Sequence, residues 1–183
     1  MEEDLPQKSL LIIGAGGIGT TVVDLLVPAL ERIQLGAQIT LMDGDTVEAS
    51  NLGHQNYSAT DIGAFKVDAL AEKWSTAEGL QIHSVTDNLR EHKQLDGYDL
   101  VIVCVDRPEP RRLVHALDVP WIDLRCSGDG WMVFTSDSDS NLVAQMTPDH
   151  EPMSCQVEGA LDAGNLEFGF SIAGTFGAQW ILQ

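Results

Sequence analysis

The sequence predicts an α/β fold, a mostly parallel sheet with helices on both faces and an appended antiparallel hairpin. Three observations lead there. Short apolar runs alternate with stretches of helical periodicity, the rhythm of βαβ units. The first apolar run ends in a glycine-rich turn that opens a helix. Late in the chain the rhythm changes, with two apolar runs flanking a polar turn. With 183 residues, 44% of them apolar, one domain spanning residues 1–183 is expected, large enough to bury a core.

The elements follow in order. Residues 10–13 form a buried first strand. Residues 19–33 carry Val22, Val23, Leu26, Leu30 and Ile33 near helical spacing, and Pro28 is expected to kink or split that helix. Residues 38–42 are the second strand. Thr60 is the expected N-cap of a helix reaching Trp74, with Ile62, Phe65, Ala69 and Leu70 on one face. Residues 82–85 and 99–105 read as strands, the second strongly apolar. Residues 108–117 form a helix opened by prolines, and residues 119–124 a further strand. Residues 130–135 and 142–146 flank the polar turn 136–140 and are expected to pair as the hairpin. Residues 148–164 read as an exposed loop, and residues 171–182 as a helix whose glycines permit close packing.

Composition narrows the function. A net charge of −18 opposes binding to nucleic acid or anionic lipid, whose phosphates would repel the chain. The three cysteines, Cys104, Cys126 and Cys155, form no CxxC pair, which argues against a disulfide framework and a cysteine-only zinc site. A reducing compartment, the cytoplasm, is the expectation. The acidic N-terminus does not read as a signal peptide, and Gly174, Gly177 and Gln179 interrupt the last apolar run too often for a membrane span.

The chemistry is concentrated between residues 14 and 106. Gly14-x-Gly16-Gly17-x-Gly19 follows a strand and opens a helix, the context of the Rossmann-like nucleotide-binding turn. The first glycine allows the tight turn, the second lets phosphate approach the backbone, and the third packs helix on strand. Amides at the helix start favour negative charge. Asp43, at the end of the second strand, is placed to accept hydrogen bonds from ribose hydroxyls. This turn alone does not separate NAD from ATP. No general acid for a dehydrogenase is evident: His83, His92, His115 and His150 are scattered and read as surface residues. Asn51, Gln55 and Lys66 follow the ribose acid instead, and Asp106 ends a buried strand. Lys66, taken to lie one turn into its helix, suits a point charge on phosphate oxygens. Asp106 suits a Mg²⁺ ligand beside a triphosphate, because ligands of open α/β sheets bind outside the carboxyl ends of the strands.

Asp43-x-Asp45-x-Val47-x-x-Ser50-Asn51-Leu52-x-His54-Gln55 resembles the pattern D-x-D-x-V-x-x-S-N-L-x-R-Q of the ThiF/MoeB family of adenylating enzymes, relatives of ubiquitin-activating enzymes. Asp61-x-Gly63-x-x-Lys66 matches the family's D-x-G-x-x-K, and Asp106 with Arg111 matches its strand-end aspartate and downstream arginine. The resemblance covers residues 10–182. It implies a site in which the four glycines, Asp43, Asp45, Asn51, His54, Gln55 and Lys66 bind ATP. Asn51, Lys66 and Asp106 would be catalytic, with Asp106 organising Mg²⁺. The implied reaction is attack by the C-terminal carboxylate of a small ubiquitin-like or sulfur-carrier protein on the α-phosphate, giving an acyl-adenylate and pyrophosphate. A homodimer is also implied, with the far side of the sheet or the glycine-bearing last helix as contact.

The chain departs from that pattern at identifiable points. His54 replaces the family's arginine, removing a fixed positive charge unless the site raises the imidazole pKa. Family enzymes also commonly receive an arginine from a partner's N-terminus, and residues 1–9 contain none. Arg107 and Arg111 are the candidates to compensate. The zinc-binding CxxC pairs of many members are absent, whereas Cys155 falls in the region where some members carry a thiol for a covalent step. Two other readings stay open: a non-catalytic, partner-binding member of the same fold, and an NAD-dependent oxidoreductase or sensor.

Overall fold

A computed structural model describes residues 7–150, 156, 157, 159, 160 and 163–183. Six strands, β1 (Lys8–Ile13), β2 (Ala37–Met42), β3 (Leu80–Val85), β4 (Leu100–Val103), β5 (Trp121–Ser127) and β6 (Gly130–Thr135), form one sheet in the order β3-β2-β1-β4-β5-β6. The first five run parallel, and β6 pairs antiparallel with β5. The helices are α1 (Gly17–Arg32), α2 (Lys66–Lys73), α3 (Pro108–His115), α4 (Ser140–Gln145) and α5 (Gly169–Ile181).

Alternation of side chains along the strands divides the core. Leu10 and Ile12 of β1, Ile39 and Leu41 of β2, and Ile122 and Leu124 of β5 cluster with apolar residues of α1, α2 and α5. Leu11, Ile13, Val101 and Val103 cluster instead with Val114 of α3 and Val143 of α4. The central strands are therefore apolar on both faces, as parallel strands covered on both sides must be. Among the described residues no helix is long and apolar enough to cross a membrane.

Several expected boundaries move. Helix α1 runs unsplit through Pro28. Pro28 lies on the exposed face, where water can take the carbonyl that the missing N–H leaves free. The helix expected from Thr60 starts only at Lys66. Gly63 takes φ +91°, which interrupts helical geometry, and residues 59–61 form a separate 3₁₀ turn closed by Ser58 and Asp61. Val67 and Leu70 are the buried apolar positions of α2, while Ile62 and Phe65 remain exposed. The hairpin exists with a different pairing. Residues 130–135 pair with β5 across Gly128 and Asp129. Residues 142–146 belong instead to α4 and its C-cap, and the Asp139 side chain caps that helix by accepting from the amides of Asn141 and Leu142.

Parallel register sets the site. Ile13 of β1 lies opposite Met42 of β2 and Val103 of β4. The strands end flush, and the next residues, Gly14, Asp43 and Cys104, stand along the carboxyl edge. The chain order reverses between β1 and β4, the position at which open α/β sheets present a crevice.

Candidate active site

The turn after β1 is fixed from both sides. The Gly14 amide donates to the Met42 carbonyl at 2.8 Å, and the Cys104 amide donates to the Ile13 carbonyl at 2.8 Å. Gly14 takes φ +96°, and a Cβ there would sit 2.9 Å from the Cys104 carbonyl oxygen. At Gly19 a Cβ would lie 1.9 Å from the Gly14 oxygen, so the close approach of helix to turn excludes any side chain. A Cβ at Gly16 would meet nothing within 4 Å. Gly17 is packed, with the His54 carbonyl oxygen and the Phe170 ring each 3.1 Å from the position of a Cβ.

Asp43 stands beside this turn. Its Oδ2 accepts from the Ala15 amide at 2.7 Å and its Oδ1 from the Asp45 amide at 2.8 Å. Burial pushes the carboxyl above its ordinary value, and the two amides and the Lys66 charge only partly offset that. Tyr57 completes the support, its hydroxyl donating to the Ala15 carbonyl at 2.7 Å. Burial, together with the charges of Asp43, Asp24 and Asp61, pushes the phenol far above its usual range, so it stays a donor at neutral pH. Nothing in the sequence pattern marks Tyr57, because its contact crosses 42 residues to Ala15.

Lys66 is the first residue of α2, not one turn into it. Its amide donates to the Asp45 carbonyl at 2.9 Å, which draws the helix start to the end of β2. The residue is only 7% exposed, and its Nζ pairs with Asp45 Oδ2 at 3.3 Å. Asn51 closes a 3₁₀ turn, with its Oδ1 accepting from the Glu48 amide at 2.9 Å. His54 and Gln55 line a depression of about 380 Å³ with Leu25, Phe168 and Phe170. Burial and the Lys66 charge both lower the His54 pKa, so the imidazole is neutral near pH 7 and does not restore the missing positive charge.

Across the β1–β4 gap, Asp106 is exposed at the end of β4 and lines a cavity of about 430 Å³ with Ile18, Arg111, Arg125, Trp131 and Met146. Arg111 is buried. One of its terminal nitrogens donates to the Val105 carbonyl, and its Nε lies 3.5 Å from Asp123 Oδ1. It is turned into the protein, which removes it as a free substitute for the missing charge. Arg107, exposed at the N-cap position of α3, keeps that candidacy. Asp123 is wholly buried, and it accepts from Arg125 and pairs with His115 Nε2 at 2.9 Å. His115 is thus a partner of a buried carboxylate and not the surface residue expected. Sequence reasoning misses Asp123 and Arg125, although two charges at i and i+2 in an apolar run share a strand face and mark a buried pair.

The structure therefore joins the glycine turn, Asp43, Asp45 and Lys66 in one chain of contacts. Asp106 belongs to the same carboxyl edge but has its own cavity, and His54 and Gln55 open on a separate depression. Cys104 and Cys126 both line the Asp106 cavity. Cys155 lies outside the described residues.

The ThiF family profile matches residues 2–182. A relative in Yarrowia lipolytica, "Adenylyltransferase and sulfurtransferase UBA4", is 32% identical over 116 residues, covering 61% of this chain and 28% of that protein. The chain thus spans under a third of the length of that relative. Among solved structures, PaaA superposes with a TM-score of 0.68 at 20% identity, covering 96% of this chain and 55% of its own. MccB of E. coli, solved with ATP, gives 0.66 at 17% identity, with 94% and 54% covered. At such identities these two structures show the fold alone.

Proposed function

The chain belongs to the ThiF family, and on that premise we propose that it uses ATP to adenylate the C-terminal carboxylate of a small ubiquitin-like or sulfur-carrier protein. A carboxylate oxygen attacks the α-phosphorus, the bond from that phosphorus to the bridging oxygen breaks, and pyrophosphate leaves with the electron pair. The acceptor is already ionised near neutral pH, so no general base is needed. Positioning and neutralisation of charge supply the catalysis.

The observation that carries this reading is the bonded group at the carboxyl edge. The glycine turn, buttressed by Asp43 and Tyr57, adjoins a nearly buried ammonium, Lys66. In the proposed complex, phosphates lie over Gly16, where the backbone is open. Lys66 neutralises phosphate charge, Asn51 donates through its side-chain amide nitrogen, and Asp43 keeps its remaining lone pairs for ribose. Asp45, His54 and Gln55 border the nucleotide. Asp106 holds Mg²⁺. Among the described residues no three His, Cys, Asp or Glu side chains gather into a metal cage. A single carboxylate suits Mg²⁺, which keeps several waters and takes further oxygens from substrate phosphates. When bound, the ion offsets phosphate charge.

Of the other proposals, the dimer and the thiol rest on family likeness and the cytoplasm on the cysteine pattern. The enzyme acts as a homodimer in the cytoplasm, and Cys155 is a candidate for a covalent step. A second reading, a partner-binding member without catalysis, is favoured by one specific observation: His54 is held neutral where the family pattern has an arginine. ATP–pyrophosphate exchange with candidate carriers separates the two. Exchange that is lost in Lys66→Met and Asp106→Asn supports the enzyme. Tight carrier binding with no exchange supports the binding module.

A further inference from the structure

The geometry points to Asp123 as a positioning residue that ties both walls of the Asp106 cavity to the core of the sheet, one wall through Arg111 and the other through Arg125. The inference rests on the proposed adenylation only for what the cavity is used for, namely the approach of the acceptor's carboxylate to the nucleotide. The tie itself stands on the contacts.

Asp123 is 0% exposed in the middle of β5. Its Oδ2 accepts from Arg125 Nη2 at 2.6 Å and Nε at 3.0 Å, and pairs with His115 Nε2 at 2.9 Å. Its Oδ1 faces Arg111 Nε at 3.5 Å. A carboxylate this deep is tolerable only when charged partners surround it. Each arginine then spends its far end on a neighbouring segment. Arg111 donates to the carbonyl of Val105, the residue preceding Asp106. Arg125 donates to the carbonyl of Met146 and, at 2.8 Å, to Thr147 Oγ1, fixing the segment after α4. The Arg125 guanidinium also lies 4.9 Å from the centre of the Phe134 ring, which holds it against β6. One buried carboxylate thereby sets the separation of the strand end that carries Asp106 and the segment carrying Met146 and Pro148, which together border the cavity.

The test is amide hydrogen exchange, read beside two kinetic quantities, on Asp123→Asn and Arg125→Lys in the whole chain. Asp123→Asn keeps the shape but removes the charge that both arginines answer. Peptides covering 104–107 and 144–150 are expected to exchange about tenfold faster, with those covering 13–19 within about twofold of the parent. Arg125→Lys keeps a cation beside Asp123 but lacks the fork that reaches Met146 and Thr147 together. It is expected to loosen 144–150 alone, and it serves if Asp123→Asn does not fold. Uniform acceleration of all peptides, or none at these two segments, overturns the inference. In pyrophosphate exchange with Arg125→Lys, which leaves the Asp106 wall in place, kcat with an acceptor should fall about tenfold while KM for ATP stays within about twofold. Equal losses in both would mean a general structural role and also overturn it. Absence of exchange in the parent protein with every acceptor defeats the adenylation reading, and hydrogen exchange still decides the tie.

Discussion

Lys66 carries the sharpest demand at the scale of single residues. An ammonium left 7% exposed needs an answering charge, and Asp45 offers one from an exposed position at 3.3 Å. Replacing Lys66 with Met should leave the fold nearly intact, since the abandoned partner remains in water. Pyrophosphate exchange should fall by about 10²–10³, the usual cost of losing one donor to developing charge, and a thermal melt alongside separates the two effects. His54 gives the opposite prediction. Burial and Lys66 lower its pKa, so the folded state prefers the neutral ring. Protonation then favours the unfolded chain, and His54 contributes a loss of stability as pH falls through the unfolded value of about 6.5. Mild acidification therefore does not convert it into an arginine substitute. His54→Arg should raise the exchange rate about tenfold or more if the position faces phosphate. An unchanged rate places it elsewhere.

The glycine turn is the element on which the nucleotide reading depends, and two neighbouring glycines test it in different ways. Gly19→Ala drives a Cβ to 1.9 Å from the Gly14 oxygen, and should destabilise the protein by about 1–3 kcal/mol while also impairing ATP binding. Gly16→Ala meets no atom within 4 Å, so denaturant unfolding should change by less than about 0.5 kcal/mol. Its effect should appear only in ATP affinity, because a methyl there occupies the space left for phosphate. The strand, turn and helix around these glycines are legible in sequence because period, spacing and local sterics all agree. The beginning of α2 is not. Thr60 has the right chemistry for a cap, but the left-handed Gly63 divides the segment, so that Lys66 itself opens the helix. The run 142–146 is too short for periodicity to distinguish strand from helix, and the Asp139 cap decides for helix.

For the whole molecule, the net charge of −18 predicts self-repulsion, so raising ionic strength from low to physiological should raise the thermal midpoint. Acid acts through a different group. Burial raises the Asp123 carboxyl, but the hydrogen bonds from His115 and Arg125 and the charges of Arg111 and Arg125 prevail and hold it below its ordinary value. Its contribution is present above the unfolded value of about 3.9 and is lost as pH falls through the folded value. Asp123→Asn should therefore flatten that acid limb of denaturant stability. The candidate site at residues 43–66 is readable in the sequence because its motif is local. Tyr57, within that stretch, is not, because its partner Ala15 lies 42 residues away; Asp123 and Arg125 share β5, but His115, Arg111 and Thr147 reach them only in the assembled sheet. The central claim is that a triphosphate occupies the carboxyl edge between the glycine turn and Lys66. A crystal structure with a non-hydrolysable ATP analogue and Mg²⁺ tests it most directly. The expected result is phosphate density over Gly16 with Lys66 Nζ in contact and Asp106 facing the metal; a nucleotide bound elsewhere, or an empty turn at saturating concentration, would contradict it.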